Sequence, residues 1–236
     1  MTNADQSRVA RRRMLRLSGA AASATLLTAA HSAQASAAPP VVKVPVTPPE
    51  DLMREHGVLK RVLLVYREVI HRIERGGTVP GPEIHAAAGI IRSFIEDYHE
   101  RLEERYVFPR LLQAGKLSRT VSILLLQHQR GRALTDRILA APYASTTASS
   151  RRRLTGDMAA FIRMYEAHEA REDTVVFPVF RDVVPAKEFN ELGEVFEDEE
   201  ERRFGTKGFT RIVDEVADIE RALGIYDLAQ FTPPPR

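Results

Sequence analysis

The sequence predicts an all-α fold, and three observations carry that expectation. Four long stretches place apolar residues at steps of three and four, the period of an amphipathic helix. Turn signals separate them: Gly76-Gly77, Gly115, then Pro142 with the Ser/Thr/Ala-rich segment 144–150. One segment of eleven residues occurs twice, HERLEERYVFP at 99–109 and HEAREDTVVFP at 168–178, with six identical positions. Together these describe four helices packed with coiled-coil-like seams, followed by two shorter helices.

Residues 1–35 read as an address. Arg11, Arg12 and Arg13 precede Met14-Leu15-Arg16, then a weakly apolar run from Leu17 to Ala30, then Ala33-Gln34-Ala35, a small-x-small cleavage pattern. Paired arginines followed by one residue, an apolar pair and a base resemble the twin-arginine export signal, with Ala10 where that family usually has Ser or Thr. The resemblance implies export to a periplasmic or extracellular location, with the twin-arginine machinery as partner and cargo that crosses already folded. About 14 apolar residues are too few to span a bilayer, so no stable membrane anchor is expected. Residues 36–49, SAAPPVVKVPVTPP, read as an extended Pro-rich linker.

The predicted domain covers 50–184. Its helices run from about Pro49 to Arg75, Pro82 to Ala114, Ser118 (read as an N-cap) to Ala140, and Arg151 to Val184. Pro109 and Pro178 predict kinks in the second and fourth. Further helices are expected at about 186–203 and 208–223, within an extension over 185–225. Phe204, Phe209, Ile212, Val216 and Ile219 suggest that the last segment packs onto the bundle, where it is expected to cover one end of the site and limit solvent entry. The tail 226–236, ending FTPPPR, is expected to be disordered.

Charge and composition narrow the function. The formal net charge is +2, but residues 1–35 hold five Lys/Arg and one Asp/Glu, which leaves 29 basic and 31 acidic groups elsewhere. No basic face remains to argue for nucleic acid. Cysteine is absent, which excludes disulfides, thiolate metal sites and a Cys nucleophile. No nucleophile triad, phosphate-binding Gly loop or nucleotide fingerprint is present.

One His interrupts the apolar seam of each helix. The seams are Leu52, His56, Leu59, Leu63, Tyr66, Ile70, Ile73; Ala88, Ile91, Ile95, His99, Leu102, Tyr106; Leu117, Val121, Leu124, His128, Thr135, Ile138; and Leu154, Met158, Phe161, Tyr165, His168, Glu172, Val175, Val179. His99 with Glu103 and His168 with Glu172 stand four residues apart, on one helix face. Each half supplies one lone His and one His-x3-Glu pair, with 43 residues from His56 to His99 and 40 from His128 to His168. This spacing suggests a duplicated hairpin. A lone seam His is ordinarily a satisfied core residue. Four imidazoles and two carboxylates at one level need a shared partner, because unpaired buried polar groups cost about 1–3 kcal/mol each and carboxylates more. Imidazole with carboxylate suits a pair of metal ions. Glu100 and Glu169 rotate away by about 100° per residue and read as solvated, or as partners behind the ligands, as do Glu104 and Asp173. His71 and His85 fall outside the pattern and read as surface groups. Tyr165 reads as a core tyrosine near the centre.

The ordered His, HxxxE, His, HxxxE set and the repeated E-x-x-VFP ending resemble the hemerythrin-like proteins of the HHE cation-binding family, over roughly residues 50–184. The resemblance implies an up-down-up-down four-helix bundle with a non-haem di-iron centre. It implies that His56 and His99 bind one iron, that His128 and His168 bind the other, and that Glu103 and Glu172 bridge them; manganese or zinc fits the same donors. Oxygen-carrying members have a second His on the third helix, four residues from the first, where this chain has Leu124 and Arg132. The missing ligand argues against reversible oxygen carriage. It favours binding of, or reaction with, O2, nitric oxide or peroxide at open positions, or iron storage or sensing without turnover. A ferritin-like oxidase is disfavoured because that class uses E-x-x-H pairs with lone Glu ligands. A metal-free interaction module remains a further alternative.

Overall fold

The structure, a computed structural model, describes residues 46–144 and 147–235. The export-signal reading and most of the linker therefore lie outside the described residues. Those described form helices and turns with no strand among them, and none of these helices is long and apolar enough to cross a membrane.

Helix α1 is Pro48–Glu74, capped by the Thr47 side chain on the Glu50 amide with prolines in its first turn. The second long stretch is helical throughout but changes pitch. It comprises α2 (Gly81–Ile90), a π segment Ile91–His99, α3 (Glu100–Leu102), a second π segment Glu103–Val107, and α4 (Phe108–Gln113). Helix α5 is Ser118–Leu139. The fourth stretch joins α6 (Ala148–Arg171), a π segment Glu172–Val176, and α7 (Phe177–Val183). Ser118 is not the cap of α5. Leu117 holds that place with φ 53°, a left-handed conformation, and no side chain caps the helix.

The prolines act differently from the expected kinks. Proline donates no hydrogen bond and its ring crowds the carbonyl four residues back. The chain answers with one wide turn just before each proline: the Phe108 amide donates to Glu103 and the Phe177 amide to Glu172, five residues back. Each wide turn inserts one residue into the helical register. Tyr106, Val175 and Val179, expected on the seams, are only partly buried. Val107, Phe108 and Leu111, and Val176, Phe177 and Phe180, are buried instead.

Helix α1 packs against α6, α5 packs against α2 and α6, and α4 packs against α7. The core between them is aliphatic and aromatic, including Val62, Tyr66, Ile91, Phe94, Met158 and Phe161. Gly131 on α5 lets Tyr165 in: a Cβ there would fall onto the tyrosine hydroxyl. Helices α8 (Ala186–Phe204) and α9 (Gly208–Ala222) pack on α1, and α9 also reaches α2. Phe204 stands edge-on to Phe94 and Tyr98 at 5.5 and 5.3 Å, and the Arg61 Nε donates to Glu220 at 2.9 Å. The tail, expected to be disordered, forms one exposed 3-10 turn, Leu228–Phe231, because the Asp227 carboxylate accepts the Ala229 amide.

Candidate metal centre

The six residues singled out in the sequence meet in the core. His56 comes from α1, His99 and Glu103 from the second stretch, His128 from α5, and His168 and Glu172 from the fourth. All are at most 3% exposed. They form two overlapping groups, His56-His99-Glu103-Glu172 and Glu103-His128-His168-Glu172, in each of which one candidate donor atom per residue lies within 4.8 Å of the others. Both glutamates belong to both groups. The Nε2 atoms face the shared carboxylates: His56 and His168 lie 3.4 and 3.0 Å from Glu172 Oε2, and His99 and His128 lie 3.7 and 3.5 Å from Glu103 Oε2. His128 and His168 bring their Nε2 atoms to 3.3 Å.

The Nδ1 atoms face outward, and each has its own partner. His56 meets Asp173 at 2.7 Å, His99 meets Glu55 at 2.6 Å, His128 meets Glu104 at 3.0 Å, and His168 meets Gln127 at 3.0 Å. A partner on one ring nitrogen fixes the tautomer and leaves the other free to act as a donor to metal. The pattern follows the duplication. Glu55 and Gln127 each precede the lone His of a half and hold the paired His of that half. Asp173 and Glu104 each follow a shared glutamate and hold the lone His of the other half. Sequence reasoning noted Asp173 and Glu104 only as neighbours, and did not single out Glu55 or Gln127.

Glu100 and Glu169 are buried, at 1% and 3% exposure, so the solvated reading fails for both. Neighbouring elements cover the flank of the seam. Tyr165 donates to Glu100 at 2.6 Å, and Arg132 pairs with Glu100 and Glu104, both at 2.7 Å. Lys60, four residues after His56 as Arg132 is after His128, lies 3.8 Å from both Glu169 and Asp173. Where oxygen carriers have a second His, this chain therefore has a cation held by acids, and Leu124, the other residue at that spacing, is a core residue. His71 and His85 are exposed, as expected. Aromatic rings from the repeated VFP segments close the site: Phe177 stacks on His56 and Phe108 tilts over His128, both at 5.6 Å.

Electrostatics set the proton inventory. Burial works against a charge on His56, but its bond to Asp173 and the nearby Glu172 carboxylate outweigh that and push it up to about 9. Burial and the neighbouring His56 charge hold His99 well below its ordinary range. Burial also acts to raise Glu172, yet the adjacent His168 and His56 keep it well below the usual carboxylate range. Glu103, buried against the charged Glu172, is raised well above that range. The carboxylate oxygens of Glu103 and Glu172 and the His56 Nε2 are buried yet complete no hydrogen bond. Four oxygens and a nitrogen left in this state, facing one another, fit a cation-filled centre.

The Tyr165 hydroxyl is spent on Glu100, which makes Tyr165 a positioning group in the core. Tyr165→Phe leaves a buried carboxylate oxygen without its donor. It is expected to lower unfolding stability by about 1–3 kcal/mol in urea denaturation, with metal content per chain unchanged; loss of metal would instead make the phenol a ligand.

The hemerythrin HHE cation-binding domain family matches residues 47–180. The chain is 56% identical over 233 residues to the uncharacterized protein Mb2018 of Mycobacterium bovis and to the uncharacterized protein Rv1995 of Mycobacterium tuberculosis, covering 95% of this chain and 91% of each relative. No solved structure matches it. The matched span contains all six core donors, and the family description and the two His/Glu groups describe the same kind of site, one that can hold a metal cation. The chain belongs to the hemerythrin HHE cation-binding domain family.

Proposed function

We propose that this chain is an exported non-haem di-iron protein, an up-down-up-down four-helix bundle that binds or reacts with O2, nitric oxide or peroxide. The observation that carries the proposal is the pair of overlapping donor groups sharing Glu103 and Glu172. In this reading His56 and His99 would hold one ion, His128 and His168 would hold the other, and both glutamates would serve as ligands common to the two groups. Bound iron would supply a redox-active Lewis acid with open positions for a small ligand; manganese or zinc suits the same donors.

The chain's own residues do the rest. Asp173, Glu55, Glu104 and Gln127 hold the four rings so that every Nε2 faces inward. Phe108 and Phe177 lie over His128 and His56 and keep the centre dry and narrow. Arg132 pairs with both Glu100 and Glu104 beside His128 and offsets part of their negative charge.

Purified protein loaded with iron is expected to carry about two ions per chain and to show oxo-bridge absorption that changes with peroxide or nitric oxide. His168→Ala should lose metal and stability together, because binding energy contributes to folding. Iron-free protein with no such bands after loading would overturn the reading. Full loading with no consumption of peroxide would favour storage or sensing.

Metal uptake is expected to release protons. In the metal-free protein at pH 7, His56 holds a proton that a cation must displace. Affinity should therefore rise with pH toward about 9 and fall on acidification. The sign for the metal-free fold is opposite. A His raised from 6.5 to about 9 contributes stability that is full below 6.5 and is lost as pH rises through 9. Calorimetry in buffers of different ionisation enthalpy reads the protons directly, and uptake without release would contradict the assignment.

Export rests on Arg11, Arg12 and the Ala33-Gln34-Ala35 pattern. Replacing Arg11 and Arg12 by Lys is expected to retain the protein in the cytoplasm on cell fractionation; unchanged export would point to another route.

A further inference from the structure

Outside the His/Glu centre, a second cluster of acids is built into the fold. Asp51 and Glu55 stand on one face of α1, one turn apart, and Glu200 reaches them from α8. One donor oxygen of each lies within 4.8 Å of the others. Asp51 is 4% exposed and Glu55 is 0% exposed. Asp51 spends Oδ1 on Arg54 at 3.0 Å, and Glu55 spends Oε2 on His99 at 2.6 Å. Asp51 Oδ2 and Glu55 Oε1 are buried and accept no hydrogen bond. Two such oxygens beside a third carboxylate are the costly arrangement that a cation relieves. Burial acts first to push Asp51 up, and with Glu200 nearby it reaches about 6 despite Arg54, so one guanidinium only partly offsets the three acids.

A cleft of about 390 Å3, lined in part by Asp51, Arg54, Glu197, Glu200 and Lys207, leads to the cluster. On the other side Glu55 reaches the His99 ring. The backbone of α9 fixes Glu200, whose Oε1 accepts the Phe209 amide at 2.8 Å. Tyr98 is buried and within electrostatic reach of the same three acids. Glu200 falls outside the span 47–180 matched by the family, so the C-terminal extension completes the cluster.

We propose that Asp51, Glu55 and Glu200 form an outer binding site for a hard divalent cation, reached from the cleft and separated from the inner centre by the His99 imidazole. Three carboxylates with no nitrogen donor suit manganous, ferrous or calcium ions over zinc or copper. Glu55 serves both places, one oxygen orienting His99 and the other facing the outer cation. Its position makes the outer site a staging point for metal on its way to the centre. The site stands on its own residues and does not require the inner pair to be di-iron.

Terbium tests it, because it seeks oxygen donors and its emission is sensitised by a nearby tyrosine. The full chain is expected to show terbium emission on tyrosine excitation, displaced by manganous ion. Glu200→Gln and Asp51→Asn should each weaken terbium binding by about 10-fold or more, the loss expected on removing one charged ligand. Tyr98→Phe should lower the emission without lowering affinity. His168→Ala, which disables the inner centre, should keep the outer signal. Circular dichroism checks folding, and Glu200→Gln, at a half-buried position with an acceptor oxygen retained, carries the test if Asp51→Asn fails to fold. Absent emission, or emission unchanged in both acid variants, overturns the outer site. An outer signal in a chain that takes up no iron at its histidines would instead sink the di-iron reading alone.

Discussion

Two carboxylates buried side by side are the constraint around which this protein is organised. Glu103 and Glu172 are each 0% exposed, and among the described residues no lysine or arginine pairs with either. Their ion-pair partners among the described residues are imidazoles. Like charges in an apolar interior repel and resist desolvation, so the surrounding fold must supply compensating charge. Each long helical stretch therefore gives up one seam position to histidine, and each histidine needs a partner behind it. The cost spreads outward: Asp173, Glu104 and Glu55 are themselves acids, and two of them draw in Lys60 and Arg132.

The wide turns belong to the same solution. A regular α-helix after Glu103 would carry Tyr106 toward the core and turn Phe108 away. The added residue reverses that, and a ring from each repeated VFP segment comes to lie on a histidine. A π turn is less favourable than an α turn, but the proline two residues past its end removes the amide that an α turn would have used. The two irregularities cancel, which explains why they occur together in both halves.

Much of this was legible in the sequence. The four seams, the His-x3-Glu spacing and the duplicated segment are local patterns, and local patterns survive without tertiary knowledge. The helix ends fell within a few residues of expectation for the same reason. The register beyond Glu103 and Glu172 was not legible, because regular spacing assumes a constant pitch. The burial of Glu100 and Glu169 was missed because helical rotation places a residue relative to its own axis, whereas Tyr165, Arg132 and Lys60 arrive from other helices. Glu55 and Gln127 share a signal that was open to reading: each directly precedes the lone histidine of its half. Adjacency points such a residue away from its neighbour's ring, and only the next helix shows whose ring it meets.

The exchange of acids between halves has a structural consequence. Asp173 steadies His56 and Glu104 steadies His128, so each hairpin lends the other the group that aims its solitary ring. Severed between α4 and α5, neither fragment would keep a correctly aimed pair of imidazoles, even with every donor of its own intact. The duplication has thus produced an interlocked whole rather than two cassettes in tandem, and drift at position 104 or 173 in one hairpin would be felt first in the other.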